Sequence, residues 1–106
     1  MTFTPYPKEK NFYSERYLEF LRRQVSSASG KPGREDDQIV PAHQDGILPR
    51  GTALKPPDIV ALPLLSNSEH SEEHRGHKEF WSKHNVNRER ECLRLINKFL
   101  SEGGRF

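Results

Sequence analysis

The chain has 106 residues, of which 30% are charged and 32% hydrophobic, and its mean hydropathy is -0.92. This length allows one small domain, and no apolar run approaches the roughly 20 residues that span a bilayer. The 17 basic and 15 acidic residues give a formal net charge of +2 and form no basic block. Composition therefore argues against a dedicated nucleic-acid-binding protein and against an integral membrane protein.

The hydrophobic content is borderline for a folded chain. Leu, Ile, Val and Phe supply 24 of the 106 residues, just above the roughly 20% level below which chains tend to be disordered. The single cysteine, Cys92, excludes an internal disulfide and fits a reducing compartment. The N-terminus lacks the apolar segment of a secretory signal. We therefore expect a cytoplasmic protein, with a cytoskeletal or ciliary location as a specific form of this prediction.

The first 28 residues divide into an arm and a helix. Pro5 and Pro7 favour extended backbone, so residues 1–10 are predicted to form an N-terminal arm from which Phe3 and Tyr6 project. Residues 11–28 are predicted to contain a first helix, over about 12–28. Asn11 or Ser14 can cap it. Its apolar stripe consists of side chains at helical spacing, namely Tyr13, Tyr17, Phe20, Leu21 and Val25.

Residues 29–66 are predicted to be an extended linker or a segment laid over another surface. Pro and Gly recur through this stretch, and no apolar periodicity runs long enough to indicate a strand. Its continuous apolar patch is residues 59–65. Because Pro63 cannot donate to a sheet, this patch is interpreted either as an edge strand or as an apolar strap across the helices.

Residues 67–106 are predicted to be a C-terminal helical region. A short helix is expected over about 68–75 and a longer one over about 78–102, with a continuous or slightly kinked helix favoured over a break near Asn85. Asn85 or Asn87 can act as a cap, and Gly103 and Gly104 supply the stop. The apolar stripe of the long helix contains Cys92, Leu95, Ile96, Phe99 and Leu100. The fold class predicted from these elements is mostly α with extensive irregular segments and little or no sheet.

Three histidines lie at helical spacing and raise the question of a metal site. His70, His74 and His77 are separated by four and three residues, and helical histidines four apart can bind zinc. The His-Glu-x-x-His motif is absent, however, and Gly76 weakens the helix. We therefore expect a solvated, mixed-charge turn with no metal and no cofactor, and a pH-sensitive contact is a further alternative.

No residue pattern indicates catalysis. Cys92 lies on an apolar stripe, where a thiol is usually inert, and no Gly-x-Ser-x-Gly motif occurs. The acidic residues fall in mixed-charge runs and are expected at the surface. The chain is therefore predicted not to be an enzyme and to have no small-molecule substrate.

The function predicted from the sequence is that of a non-enzymatic structural protein that packs along a larger assembly, for example a microtubule- or cilium-associated component. Protein partners are expected, a membrane is not, and nucleic acid is disfavoured. The alternatives are a compact helical regulatory module that binds one protein partner, and a peripheral subunit of a ribonucleoprotein or organellar complex. A metal or nucleic-acid module is a third hypothesis. The predicted interface is formed by the aromatic and aliphatic side chains Phe3, Tyr6, Tyr13, Tyr17, Phe20, Leu21, Trp81, Leu95, Ile96, Phe99, Leu100 and Phe106.

Overall fold

A two-stranded antiparallel sheet and four α-helices make up the part of the chain that the structure, a computed structural model, describes: residues 12–47 and 56–106. The elements in chain order are α1 (Glu15–Arg22), β1 (Ile39–His43), β2 (Ala61–Leu65), α2 (Ser71–Arg75), α3 (His77–Lys83) and α4 (Arg88–Ser101). A 3-10 helix (Asp58–Val60) leads into β2, and a π-helix (Ser66–His70) connects β2 to α2.

The prediction of a mostly α fold with little or no sheet is wrong, because β1 and β2 pair within the stretch that was expected to be extended. Pro41 lies directly opposite Pro63. The ladder hydrogen bonds fall on alternate pairs, as shown by Gln44 N–H to Val60 O at 3.1 Å and Ser66 N–H to Gln38 O at 2.8 Å. The proline pair thus occupies a position that needs no N–H donor inside the ladder. The chain is a small α/β globule.

Two predicted helix caps are confirmed, but the helix lengths differ from prediction. The Ser14 hydroxyl accepts from Tyr17 N–H at 3.2 Å, and the Asn87 side chain accepts from Arg90 N–H at 3.0 Å. The first helix ends at Arg22 and not near residue 28. The expected helix over 78–102 is interrupted, because Asn85 adopts a φ of 55° between α3 and α4.

The C-terminal residues fold back over α1. Gly103 has a φ of +84°, and the Gly104 amide donates to Phe99 O at 2.8 Å, which closes α4. A Cβ at Gly104 would lie 2.5 Å from the Phe99 ring, so no larger residue fits without movement. This turn brings the Phe106 ring to 5.5 Å from the Tyr17 ring and 5.1 Å from the Phe99 ring.

One hydrophobic core joins all the main elements. Both α1 and α4 pack against β2, which is buried along its whole length. The buried side chains of this core are Tyr17, Phe20, Leu21, Ala42, Val60, Ala61, Leu62, Leu64, Phe80, Trp81, Cys92, Leu95 and Phe99. Within the described ranges, no helix is both long and apolar enough to cross a membrane.

Candidate functional site

The π-helix at the end of β2 is held by two buried carboxylates. Asp37 accepts hydrogen bonds from the Asn67 amide at 2.7 Å and the Ser68 hydroxyl at 2.5 Å. The Ser68 and Asn67 donors lower the pKa of Asp37 below its usual range. Glu69 accepts from the Leu65 amide at 3.0 Å. Single π-helical turns are rare and frequently lie at functional sites, and this one ends at His70, where α2 begins.

The imidazoles of His70 and His74 face each other across one turn of helix. Their Nε2 atoms are 3.2 Å apart, and their ring centroids are 4.5 Å apart. His74 is exposed, whereas His70 is half-buried. Burial and, secondarily, the neighbouring His74 lower the pKa of His70. The lowered pKa favours the uncharged form of His70, and its Nε2 atom lies within hydrogen-bond distance of His74 Nε2.

A buried carboxylate, Glu73, lies behind this pair. Its Oε2 atom accepts from Trp81 Nε1 at 2.6 Å and from Gln44 Nε2 at 2.8 Å. Its Oε1 atom is 3.7 Å from His70 Nδ1, a buried nitrogen that has no hydrogen-bond partner among the described residues. Glu73 is only 3% exposed, so its position is fixed from three sides. A carboxylate that faces the second nitrogen of an imidazole is the usual support of a metal-binding histidine.

His77 does not join the pair, so the predicted three-histidine face divides. The Arg88 guanidinium donates to His77 Nε2 at 3.0 Å, which occupies the lone pair that a metal would need. Arg88 also donates to Gln44 Oε1 at 3.2 Å and so closes the network around Glu73. Across residues 12–47 and 56–106, no group of three or more His, Cys, Asp or Glu side chains is arranged to hold a metal ion. The site offers two protein ligands.

A second polar pair lies at the end of β1. His43 Nε2 is 2.8 Å from Asp58 Oδ1, and the other Asp58 oxygen accepts from the Ser14 amide at 2.7 Å. Asp58 is buried, and His43 is exposed at the margin of a cleft of about 550 Å³. The described residues that line this cleft include Tyr13, Glu15 and Leu18. A buried carboxylate that orients an accessible imidazole is one half of a general-base arrangement.

The predicted interface residues separate into three groups. Tyr17, Phe20, Leu21, Trp81, Leu95 and Phe99 are buried in the core. Ile96 is half-buried, whereas Tyr13, Leu100 and Phe106 are exposed, although the Phe106 ring also contacts the core aromatics. Phe3 and Tyr6 lie outside the described residues. Cys92 is buried, and burial raises the pKa of its thiol to about 12, which agrees with the expected inert thiol.

Sequence reasoning missed the acidic members of both sites. Glu73 lies in a mixed-charge run and was expected at the surface, and the same expectation is wrong for Asp37, Asp58 and Glu69, which are all buried. The four-residue spacing of His70 and His74 was the available signal for the first site. No comparable pattern links His43 to Asp58, because their contact depends on the strand pairing.

In a comparison with protein families, residues 1–103 match the family described as a protein of unknown function (DUF968). The chain belongs to this family. No curated protein and no solved structure matches the chain.

Proposed function

We propose that the protein binds one divalent transition-metal ion, zinc in the first instance, between the Nε2 atoms of His70 and His74. The observation that carries the proposal is their separation of 3.2 Å. Zinc–nitrogen bonds of about 2.0–2.1 Å at a tetrahedral angle place two ligand nitrogens about 3.3 Å apart. The separation of the two nitrogens therefore matches that of a zinc site, and binding of the ion would replace the His70–His74 hydrogen bond.

The surroundings of the pair favour the metal-bound form. Glu73 Oε1 lies 3.7 Å from His70 Nδ1, so a small shift of either side chain on metal binding would let the carboxylate accept from this nitrogen and leave Nε2 for the ion. The lowered pKa of His70 favours the unprotonated ring, which is the form that binds a metal. His74 is exposed, so an ion has direct access from solvent.

Two protein ligands leave positions for water or for a bound anion. Zinc sites that keep an open position are typical of catalysis, since the ion lowers the pKa of its bound water and polarises an oxygen of a substrate. The core of this protein is assembled around β2, α1 and α4, away from the pair. We therefore expect the ion to serve binding or chemistry, and not to be required for folding.

The test is isothermal titration of the purified full chain with zinc, together with the visible spectrum of the cobalt-substituted protein. One ion per chain is expected, and His70→Gln or His74→Gln should abolish the tight site. His77→Gln is the matched control, because His77 Nε2 is occupied by Arg88, and it should bind normally. Glu73→Gln should weaken binding about 10- to 100-fold. Equal losses in the His77 and His74 variants would refute the proposed site.

The His43–Asp58 pair favours a second candidate function, acid–base hydrolysis in the adjoining cleft. His43 would take a proton from water as the water attacks an activated ester, while Asp58 orients the ring and stabilises the imidazolium. Hydrolysis of p-nitrophenyl esters tests this role. His43→Gln should abolish the rate. His84→Gln, which changes a half-buried ring that contacts Phe80 at a tilt of 55°, should not. A rate that is unchanged in His43→Gln would assign the pair a purely structural role.

The assembly role predicted from the sequence stays a prediction. Most side chains of the predicted interface are buried in the core, so a protein partner would have to contact Tyr13, Leu100 and the exposed part of Phe106. The residues that the compact alternative requires in one core, such as Tyr17, Trp81 and Phe99, do lie in one cluster. Its protein partner likewise stays a prediction.

A further inference from the structure

Two adjoining clefts on one side of α1 carry an excess of arginine. The first, of about 510 Å³, is lined by Arg22, Arg23 and Arg34, and the second, of about 410 Å³, by Arg16, Arg23 and Arg105. Arg23 lines both clefts, so the two clefts adjoin at its side chain and together make up one arginine-rich surface. We call this the arginine groove, defined by Arg16, Arg22, Arg23, Arg34 and Arg105.

Charge is concentrated in this groove. Its described lining residues include five arginines and two glutamates, Glu19 and Glu35, which gives a local charge of +3. The whole chain has a formal charge of +2, so the remainder of the molecule carries -1. Arg22 is already paired with Glu19 at 2.5 Å and with Glu15 at 2.8 Å. The positive charge of the groove therefore comes from Arg16, Arg23, Arg34 and Arg105.

Most of these guanidinium groups are free to bind an anion. Arg16, Arg23 and Arg105 are exposed, and none has an ion pair or a side-chain hydrogen bond with any residue that the structure describes. Arg34 lies 3.9 Å from the exposed Asp36 and also interacts electrostatically with Asp37. Arg16 and Arg23 are seven residues apart, so they lie on one face of α1, separated by about 10 Å along its axis.

We propose that the arginine groove binds the phosphate backbone of a nucleic-acid strand. Arginine forms paired hydrogen bonds with phosphate oxygens, and a row of free guanidiniums along a depression matches a row of phosphates. The concave shape favours a strand lying in the groove over a flat membrane surface. This proposal is independent of the metal site, which involves α2 and none of the five arginines.

Salt dependence gives the proposal a magnitude. Four phosphate contacts, from Arg16, Arg23, Arg34 and Arg105, predict a slope of about -2.8 for log K against log salt with a single strand. Affinity should then fall about 50-fold between about 50 and 200 mM salt. Removing two of the four contacts should reduce this fall to about 7-fold.

The experiment is fluorescence anisotropy of a labelled oligothymidine, and of a duplex in a parallel arm, with the full chain and EDTA present so that metal binding plays no part. The test variant is Arg16→Gln with Arg23→Gln. The matched control is Arg75→Gln with Arg90→Gln, which makes the same change in charge at exposed arginines outside the groove. Thermal melting of both variants checks that the fold is retained.

Weaker binding and a shallower salt slope in the test variant alone, in either arm, would support the groove. Equal effects of the two variants would overturn it, because binding would then follow net charge only. Absence of binding at about 50 mM salt would also overturn it. The proposal would also be overturned if the protein bound vesicles containing phosphatidylserine, if the test variant lost this binding, and if neither nucleic acid bound.

Discussion

Replacing Glu73 by alanine should lower the free energy of unfolding more than substitution of a neighbouring residue does. Glu73 is 3% exposed and accepts hydrogen bonds from Trp81 Nε1 at 2.6 Å and from Gln44 Nε2 at 2.8 Å. A hydrogen bond to a charged group contributes about 1.5–3 kcal/mol, and removing the acceptor leaves two buried donors unpaired. We expect the free energy of unfolding to fall by about 3 kcal/mol or more, a decrease of about 12 °C or more in Tm.

Denaturant unfolding followed by fluorescence measures this change directly, because Trp81 is the only tryptophan and donates to Glu73. Glu72→Ala is the matched control. Glu72 is adjacent in α2 but pairs with Lys83 at the surface, at 2.9 Å, and surface ion pairs contribute little to stability. Its midpoint should stay close to that of the parent. If the two variants unfold at the same denaturant concentration, the carboxylate network does not stabilise the fold, and the support inferred for His70 fails with it.

Three further predictions concern the core. Tyr17→Phe should stabilise the protein by about 1 kcal/mol or more, because the buried Tyr17 hydroxyl has no hydrogen-bond partner among the described residues and the ring contacts are kept. The expected result is a higher Tm, and a lower Tm would show that the hydroxyl does form a hydrogen bond. Cys92 should resist Ellman's reagent at pH 8 until the protein unfolds, since burial raises the pKa of its thiol from 9.0 to about 12. Rapid labelling of the folded protein would contradict this expectation. The same rise in the pKa of Cys92 means that the free energy of unfolding should decrease as the pH rises above about 9. Gly104→Ala should destabilise by about 1–3 kcal/mol, because its Cβ would meet the Phe99 ring; an unchanged denaturant midpoint would show that the tail moves away at no cost.

The helices could be predicted where an apolar stripe and a capping residue indicated the same helix. The positions of Tyr17, Phe20 and Leu21 on α1, and of Cys92, Leu95 and Phe99 on α4, follow from their spacing, and Ser14 and Asn87 cap as expected. The sheet could not be predicted in this way. Each strand has five residues and a central proline, and only their mutual pairing makes those prolines acceptable.

The candidate site shows the same division between local and long-range signals. His70 and His74 face each other because they are four residues apart, which is about one helical turn, so their proximity can be predicted from the sequence alone. The burial of Glu73 depends on Gln44, which directly follows β1, and on Trp81, which lies on α3. The arginine groove likewise assembles residues from α1, a loop and the C-terminal segment, so charge counts along the chain do not detect it.

The opposed prolines also affect how the sheet meets other molecules. In a two-stranded sheet both outer edges are open to a third strand, which is a common route to aggregation and domain swapping. In a pair of residues that exchange no ladder hydrogen bonds, the backbone N–H and C=O groups point away from the partner strand. Pro41 and Pro63 form such a pair, and neither has an N–H group that could donate to a third strand. The outward carbonyl of Pro63 is already taken by the Ser27 amide at 2.9 Å. Each edge thus lacks an N–H donor at its centre, which disfavours the addition of a strand from a second copy.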